Sequence, residues 1–156
     1  HRQIAFITGS LDSPTALERL AGYKEALRQA EIAIDTQLIV EGKWTPACGA
    51  KAVTQLLERQ QTFSALIASN DDMAIGALQQ LNAAGLSVPD RVSLLGFDDI
   101  PIAPFLRPAL ASVKAPVTDM IHEVIDRLIS MLDGGDMSPR ADFISGLILR
   151  ESVSNK

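Results

Sequence analysis

Short apolar runs alternate with longer amphipathic stretches along the first two thirds of the chain. IAFIT at residues 4–8, QLIVEG at 37–42, SALIA at 64–68 and VSLLG at 92–96 have the length and make-up of buried strands. The stretches between them have helical periodicity. Ser13-Pro14 is a helix N-cap followed by proline at the first helical position. Residues 15–30 then predict a helix with Leu17, Leu20, Tyr23 and Leu27 on its apolar side. Residues 46–60 predict a second helix, with Val53, Leu56 and Leu57 inward. Residues 71–84 predict a third, closed by Gly85. Ser69 is its expected cap, with Asp72 at the third position, which leaves the Asn70 side chain free. Strand–helix alternation at this spacing builds βαβ units. The fold class is therefore α/β, an open, mostly parallel sheet with helices on both faces.

After Asp99 the pattern changes. Residues 100–108 hold Pro101, Pro104 and Pro108 and show no period, which predicts a loop or a short irregular helix. ALASVK at 109–114 predicts a strand, and FISGLILR at 143–150 a last one. Between them, residues 116–132 carry a stripe of Val117, Met120, Ile121, Val124, Ile125, Leu128, Ile129 and Leu132, stopped by Gly134-Gly135. That stripe is too broad for a helix with water on one side, so it calls for a partner. The expected organisation is a lobe over residues 1–110, a crossover segment with its helix over 111–137, and a returning strand and tail over 138–156.

Composition narrows the function. Of 156 residues, 47% are apolar and 21% charged, enough for a packed core. The net charge is −5 with the basic residues scattered, unlike a surface for nucleic-acid phosphates. The single cysteine, Cys48, excludes an internal disulfide. No apolar stretch approaches the ~20 residues of a membrane span. His1-Arg2-Gln3 runs straight into the first strand, so the chain reads as a piece of something longer.

In open parallel sheets, ligands bind outside the carboxyl ends of the strands. Ser13, Thr15 and Arg19 follow the first strand, and Lys43 and Trp44 the second. Ser69, Asn70, Asp71 and Asp72 follow the third, and Asp98 and Asp99 the fourth. A guanidinium, an indole face, an amide and a carboxylate suit a polyhydroxylated ligand: the indole covers the apolar face of a ring while the others bond to hydroxyls. Plainer readings stand beside this one. A lone tryptophan also suits a core, Arg19 also suits a solvated surface, and Asp71 and Asp72 suit the positive end of a helix dipole. Asp98 has no such excuse, since no helix begins directly after it.

There is no G-x-S-x-G elbow, no phosphate loop and no G-x-G-x-x-G, and His1 and His122 are too far apart in sequence to suggest a shared metal. No catalytic residue, metal site or cofactor is expected. An acid-site phospho-receiver or Mg²⁺-dependent enzyme is the alternative of another class, although its acid pair belongs after the first strand.

With these residues laid out, the sequence resembles the LacI/GalR family of sugar-responsive repressors. The stretches HRQIAFITG, ERLAGYKEAL, EGKWTPACG, SALIASNDDMAIGAL, GLSVPDRVSLLGFDDI, RPALASVKAP and LILRES carry the likeness in the family's order. The resemblance implies a periplasmic-binding-protein-like (type I) lobe, corresponding to the C-terminal half of a two-lobed core. By matched position it implies sugar contacts from Arg19, Trp44, Asn70 and Asp98, a less regular one from Ser13, and dimer contacts near Asp71, Ile75, Leu78, Phe105 and Leu106. It implies a cytoplasmic homodimeric repressor with a sugar or glycoside effector, which meets operator DNA only through a helix-turn-helix headpiece outside this chain. Ala115 departs from members that carry a polar ligand contact there. A periplasmic sugar-binding protein for transport is the alternative with the same core.

Overall fold

The structure, a computed structural model, describes residues 1–132 and 143–154. Six strands form one sheet: β1 (Ile4–Thr8), β2 (Ile39–Glu41), β3 (Ala65–Ala68), β4 (Ser93–Phe97), β5 (Ala111–Lys114) and β6 (Gly146–Ile148). Their order is β2-β1-β3-β4-β5-β6. β1 to β5 pair in parallel, and β6 returns antiparallel to β5. The alternating apolar runs thus become the buried parallel strands that βαβ connections require.

Helix α1 (Pro14–Gln29) covers one face of the sheet. Phe6 stacks on Tyr23 with ring centroids 4.6 Å apart, and the Tyr23 hydroxyl donates to the Ile4 carbonyl at 2.8 Å. Helices α2 (Pro46–Glu58) and α3 (Asp71–Ala83) cover the other face. Val53, Leu56, Met73, Leu81, Leu66 and Leu94 form the larger core there. Each fully buried aliphatic side chain contributes about 1.5–3 kcal/mol, which places most of the stabilisation on the α2–α3 side. On the α1 side the cover stops short of β4, leaving an apolar groove of about 470 Å³ that includes Ile67, Leu95, Leu147 and Leu149.

Several local expectations are corrected. Leu17 is 51% exposed, because α1 buries the line of Ala16, Tyr23 and Leu27, and Leu17 sits a step round the helix from it. The second strand is shorter than expected. Asp35 accepts from the Gln37 amide at 2.8 Å and winds Thr36–Leu38 into a 3-10 turn before the chain extends. The last strand pairs only over Gly146–Ile148. The proline-rich stretch, by contrast, is as expected a loop with one short irregular helix, the 3-10 turn Ala103–Phe105.

Helix α4 (Val117–Leu132) forms as the periodicity demands, but buries none of its residues. Val124, Ile125, Leu128 and Ile129 lie about half exposed. The expected Gly134-Gly135 stop lies outside the described residues, as does the boundary set between residues 137 and 138. An apolar stripe of this width in water drives association. The 156-residue chain alone is expected to self-associate through this stripe, and Ile125→Glu combined with Leu128→Glu to lower its association state in sedimentation velocity. A clean monomer before substitution sinks this expectation.

Candidate functional site

The carboxyl ends of β1 to β4 bring four of the five expected contact residues together. Arg19 lies in the second turn of α1 and leans back toward the sheet edge, as helical side chains do. Its Nη2 donates to Asp98 Oδ1 at 3.2 Å, and its Nη1 to the Ser69 carbonyl. The guanidinium lies 3.7 Å over the Phe97 ring and 5.8 Å from the Trp44 ring, both within cation–π reach. The Arg19 side chain is 19% exposed and that of Asp98 40%. Among the described residues Asp98 Oδ2 has no partner. One carboxylate oxygen is therefore held and the other left to accept. Burial holds the Asp98 carboxyl above its ordinary pKa, with the Asp72 charge adding to the rise, while the charge and hydrogen bond of Arg19 pull against it.

Asn70, not Ser69, caps α3. Its Oδ1 accepts from the Met73 amide at 2.9 Å, because extended backbone reaches one residue further before the helix begins. Its Nδ2 donates to the Trp44 carbonyl at 3.0 Å. Asn70 is thus engaged at both ends of its amide, and the expectation that it stays free is overturned. The Ser69 hydroxyl is buried without a partner among the described residues. Ser13 heads α1 half-buried and makes no cap bond, and no hydrogen bond ties its side chain to the other four.

The acids divide by their partners. Asp71 is fully buried; its Oδ1 accepts from the Ser112 hydroxyl at 2.7 Å and its Oδ2 from the Ile100 amide at 2.9 Å. A Cβ on Gly96 would run into Asp71 Oδ1, so the strand is bare where the carboxylate lies. Asp99 accepts from Arg150 Nη2 at 2.6 Å, while Arg150 Nη1 donates to the Leu110 carbonyl at 2.7 Å. Asp71 and Asp99 are therefore spoken for by a hydroxyl, an amide and an arginine. Among the described residues no cluster of three or more His, Cys, Asp or Glu side chains is placed to hold a metal ion. Trp44, Asp98 and Asp99 have φ of 65°, 107° and 54°. Such left-handed backbone costs of order 1–3 kcal/mol per residue and persists where surrounding bonds over-determine it. The bonds are visible here: Val113 O takes the Asp98 amide at 2.8 Å and Ser112 Oγ the Asp99 amide at 3.0 Å.

Sequence reasoning did not single out Phe97, Ser112 or Arg150. Arg150 had a signal, a charged residue closing the apolar run LILR. Of the expected dimer contacts, Phe105 is 74% exposed, and Ile75 and Leu106 are half-buried. Leu78 and Asp71 pack inside the chain itself, which leaves them little to offer a partner.

Comparison with known proteins identifies the frame that this sheet and its helices form. The periplasmic binding protein-like domain family matches residues 1–153. The chain is such a domain, of the LacI/GalR family. It is 62% identical to the HTH-type transcriptional regulator AscG of Escherichia coli K12, over 98% of this chain and 46% of that protein. It is 33% identical to the regulator GalR of the same organism, over 99% of this chain and 45% of GalR. The crystal structure of the Escherichia coli repressor AscG superposes with a TM-score of 0.94, covering 98% of this chain and 56% of that one. The regulator CelR in complex with cellobiose superposes at 0.91 with 36% identity, covering 97% of this chain and 47% of CelR. The LacI/GalR domain described here spans about half the length of the curated relatives it matches. These relatives are regulators; none of those named is a transport protein or an enzyme.

Asp71 yields a pH test. Burial raises its pKa most and the charges of Asp98 and Asp99 add to the rise, against the bonds from Ser112 and Ile100. A carboxyl raised on folding binds its proton more tightly in the native state. Its contribution to stability is full below the unfolded value of ~4 and is lost as pH rises through the folded value. In urea titrations across that window, the wild type should lose stability relative to Asp71→Asn as the pH rises. A difference that stays constant with pH contradicts the assignment.

Proposed function

We propose that this chain is the effector-binding and dimerising part of a cytoplasmic transcriptional repressor, with a neutral sugar or glycoside as effector. The observation that carries the reading is the Arg19–Asp98 pair, 3.2 Å long, beside the only tryptophan of the chain. Asp98 Oδ2 accepts a ligand hydroxyl, Arg19 donates to others, and the Trp44 indole covers the less polar face of the ring. Support comes from the regulators that share this frame, one of them solved with cellobiose.

Binding at one lobe's edge controls DNA only if it changes how two lobes sit. The effector favours one of two lobe arrangements, and the shift is passed to a helix-turn-helix headpiece on the rest of the protein. A lac repressor dimer solved on its operator with an anti-inducer, 28% identical with a TM-score of 0.90, supports that plan. Phe105 on its exposed 3-10 turn is the best-placed anchor for the homodimer.

Calorimetry of the full-length protein against a sugar panel that includes cellobiose tests the reading. A hydrogen bond to a charged group contributes about 1.5–3 kcal/mol, so Asp98→Ala should weaken binding by roughly 10- to 150-fold. An Asp98→Ala variant that binds as tightly as the wild type defeats the site. Residues 1–156 alone should give no sequence-specific shift of operator DNA.

A further inference from the structure

Trp44 is held in place from three sides. Its backbone is left-handed, its carbonyl is pinned by Asn70 Nδ2 at 3.0 Å, and its ring lies against Gly9, the first residue beyond β1. A Cβ placed on Gly9 would fall within the indole, on its Cζ2, Cη2 and Cε2 atoms, and these are the nearest atoms it would meet. The Gly9 backbone is not in the left-handed region, so an alanine there meets no conformational strain. Its whole effect is contact with the ring.

We infer that Gly9 is a positioning residue that sets the depth of the indole, and with it the room left for a ligand ring beside Arg19 and Asp98. Only a bare backbone lets the ring lie flat on the end of β1. Any side chain at residue 9 drives the indole outward, into the space where the ligand would stack. The Arg19 guanidinium, 5.8 Å from that ring, bounds the same space on another side. Gly9 thereby tunes which ring fits without touching it. The consequence for affinity rests on the sugar-site reading; the seating of the ring does not.

Trp44 is the only tryptophan in residues 1–156, and its own emission in the full-length protein is read as the difference from a Trp44→Leu variant. In Gly9→Ala the emission of the full-length protein should shift to longer wavelength and acrylamide should quench it more strongly, as the indole moves toward water. A thermodynamic cycle separates this from a general defect, because residues that act through contact are non-additive. Gly9→Ala should lower the Tm in the wild type and leave it unchanged in a Trp44→Leu background. Cellobiose affinity should fall at least tenfold in Gly9→Ala. Unchanged emission, or an equal loss of Tm in both backgrounds, overturns the inference. A wild type that binds no sugar while the Tm cycle stays non-additive defeats the sugar reading and upholds the seat. Unaltered cellobiose affinity in a Gly9→Ala variant with shifted emission defeats the claim that indole depth governs the ligand.

Discussion

A carboxylate with no exposure to water ties the working edge of this domain together. Asp71 begins α3, yet its two oxygens are used by β5, through Ser112, and by the chain just past β4, through the Ile100 amide. Burying an acid without partners would cost several kcal/mol, so both bonds must be kept together. That requirement fixes the spacing of three segments at once. It also explains why β4 is bare at Gly96 and why a serine faces inward on β5. Its neighbour Asn70 extends the same junction toward β2 by capping α3 and holding the Trp44 carbonyl.

On that base stands the turn of Asp98 and Asp99, two consecutive residues in left-handed backbone. The strain persists because each amide has a fixed acceptor on β5 and because Arg150 holds the Asp99 carboxylate. The two acids have opposite fates. Asp99 faces an arginine that is 16% exposed and belongs to the framework; Asp98 shares Arg19 and, among the described residues, keeps one oxygen free. A pair that resembles a metal centre in the sequence is one anchor and one acceptor.

The parallel order and the helices on both faces were legible because strand-length apolar runs alternate with 3.6-residue periodicity. The convergence of Arg19, Trp44, Asn70 and Asp98 followed from their places after strands, given the rule for ligand crevices. Cap identity was not legible. Ser69 and Asn70 are both good caps, and the choice depends on Trp44, distant in sequence, offering its carbonyl. Leu17 misled because α1 packs on a narrow line and the sequence does not say which leucines fall on it. The partnership of Arg150 with Asp99 spans 51 residues, beyond any local pattern. The Phe97 platform was hidden for another reason: a strand-end aromatic reads as core until a guanidinium is seen lying on it.

The stitching around Ser152 has a consequence for how the domain is made. Its hydroxyl donates to the Leu94 carbonyl at 2.6 Å and accepts from the Ala111 amide at 2.8 Å, while its amide donates to the Ala109 carbonyl at 3.0 Å. Those links bridge 41 to 58 residues, and the chain between includes α4, which contributes nothing buried. Closing such loops costs entropy before any contact offsets it. During synthesis, β1 to β4 can assemble while β5 still waits for its outer neighbour. The edge that holds the Asp98–Asp99 turn is thus complete only when Arg150 and Ser152, far along the chain, have joined it.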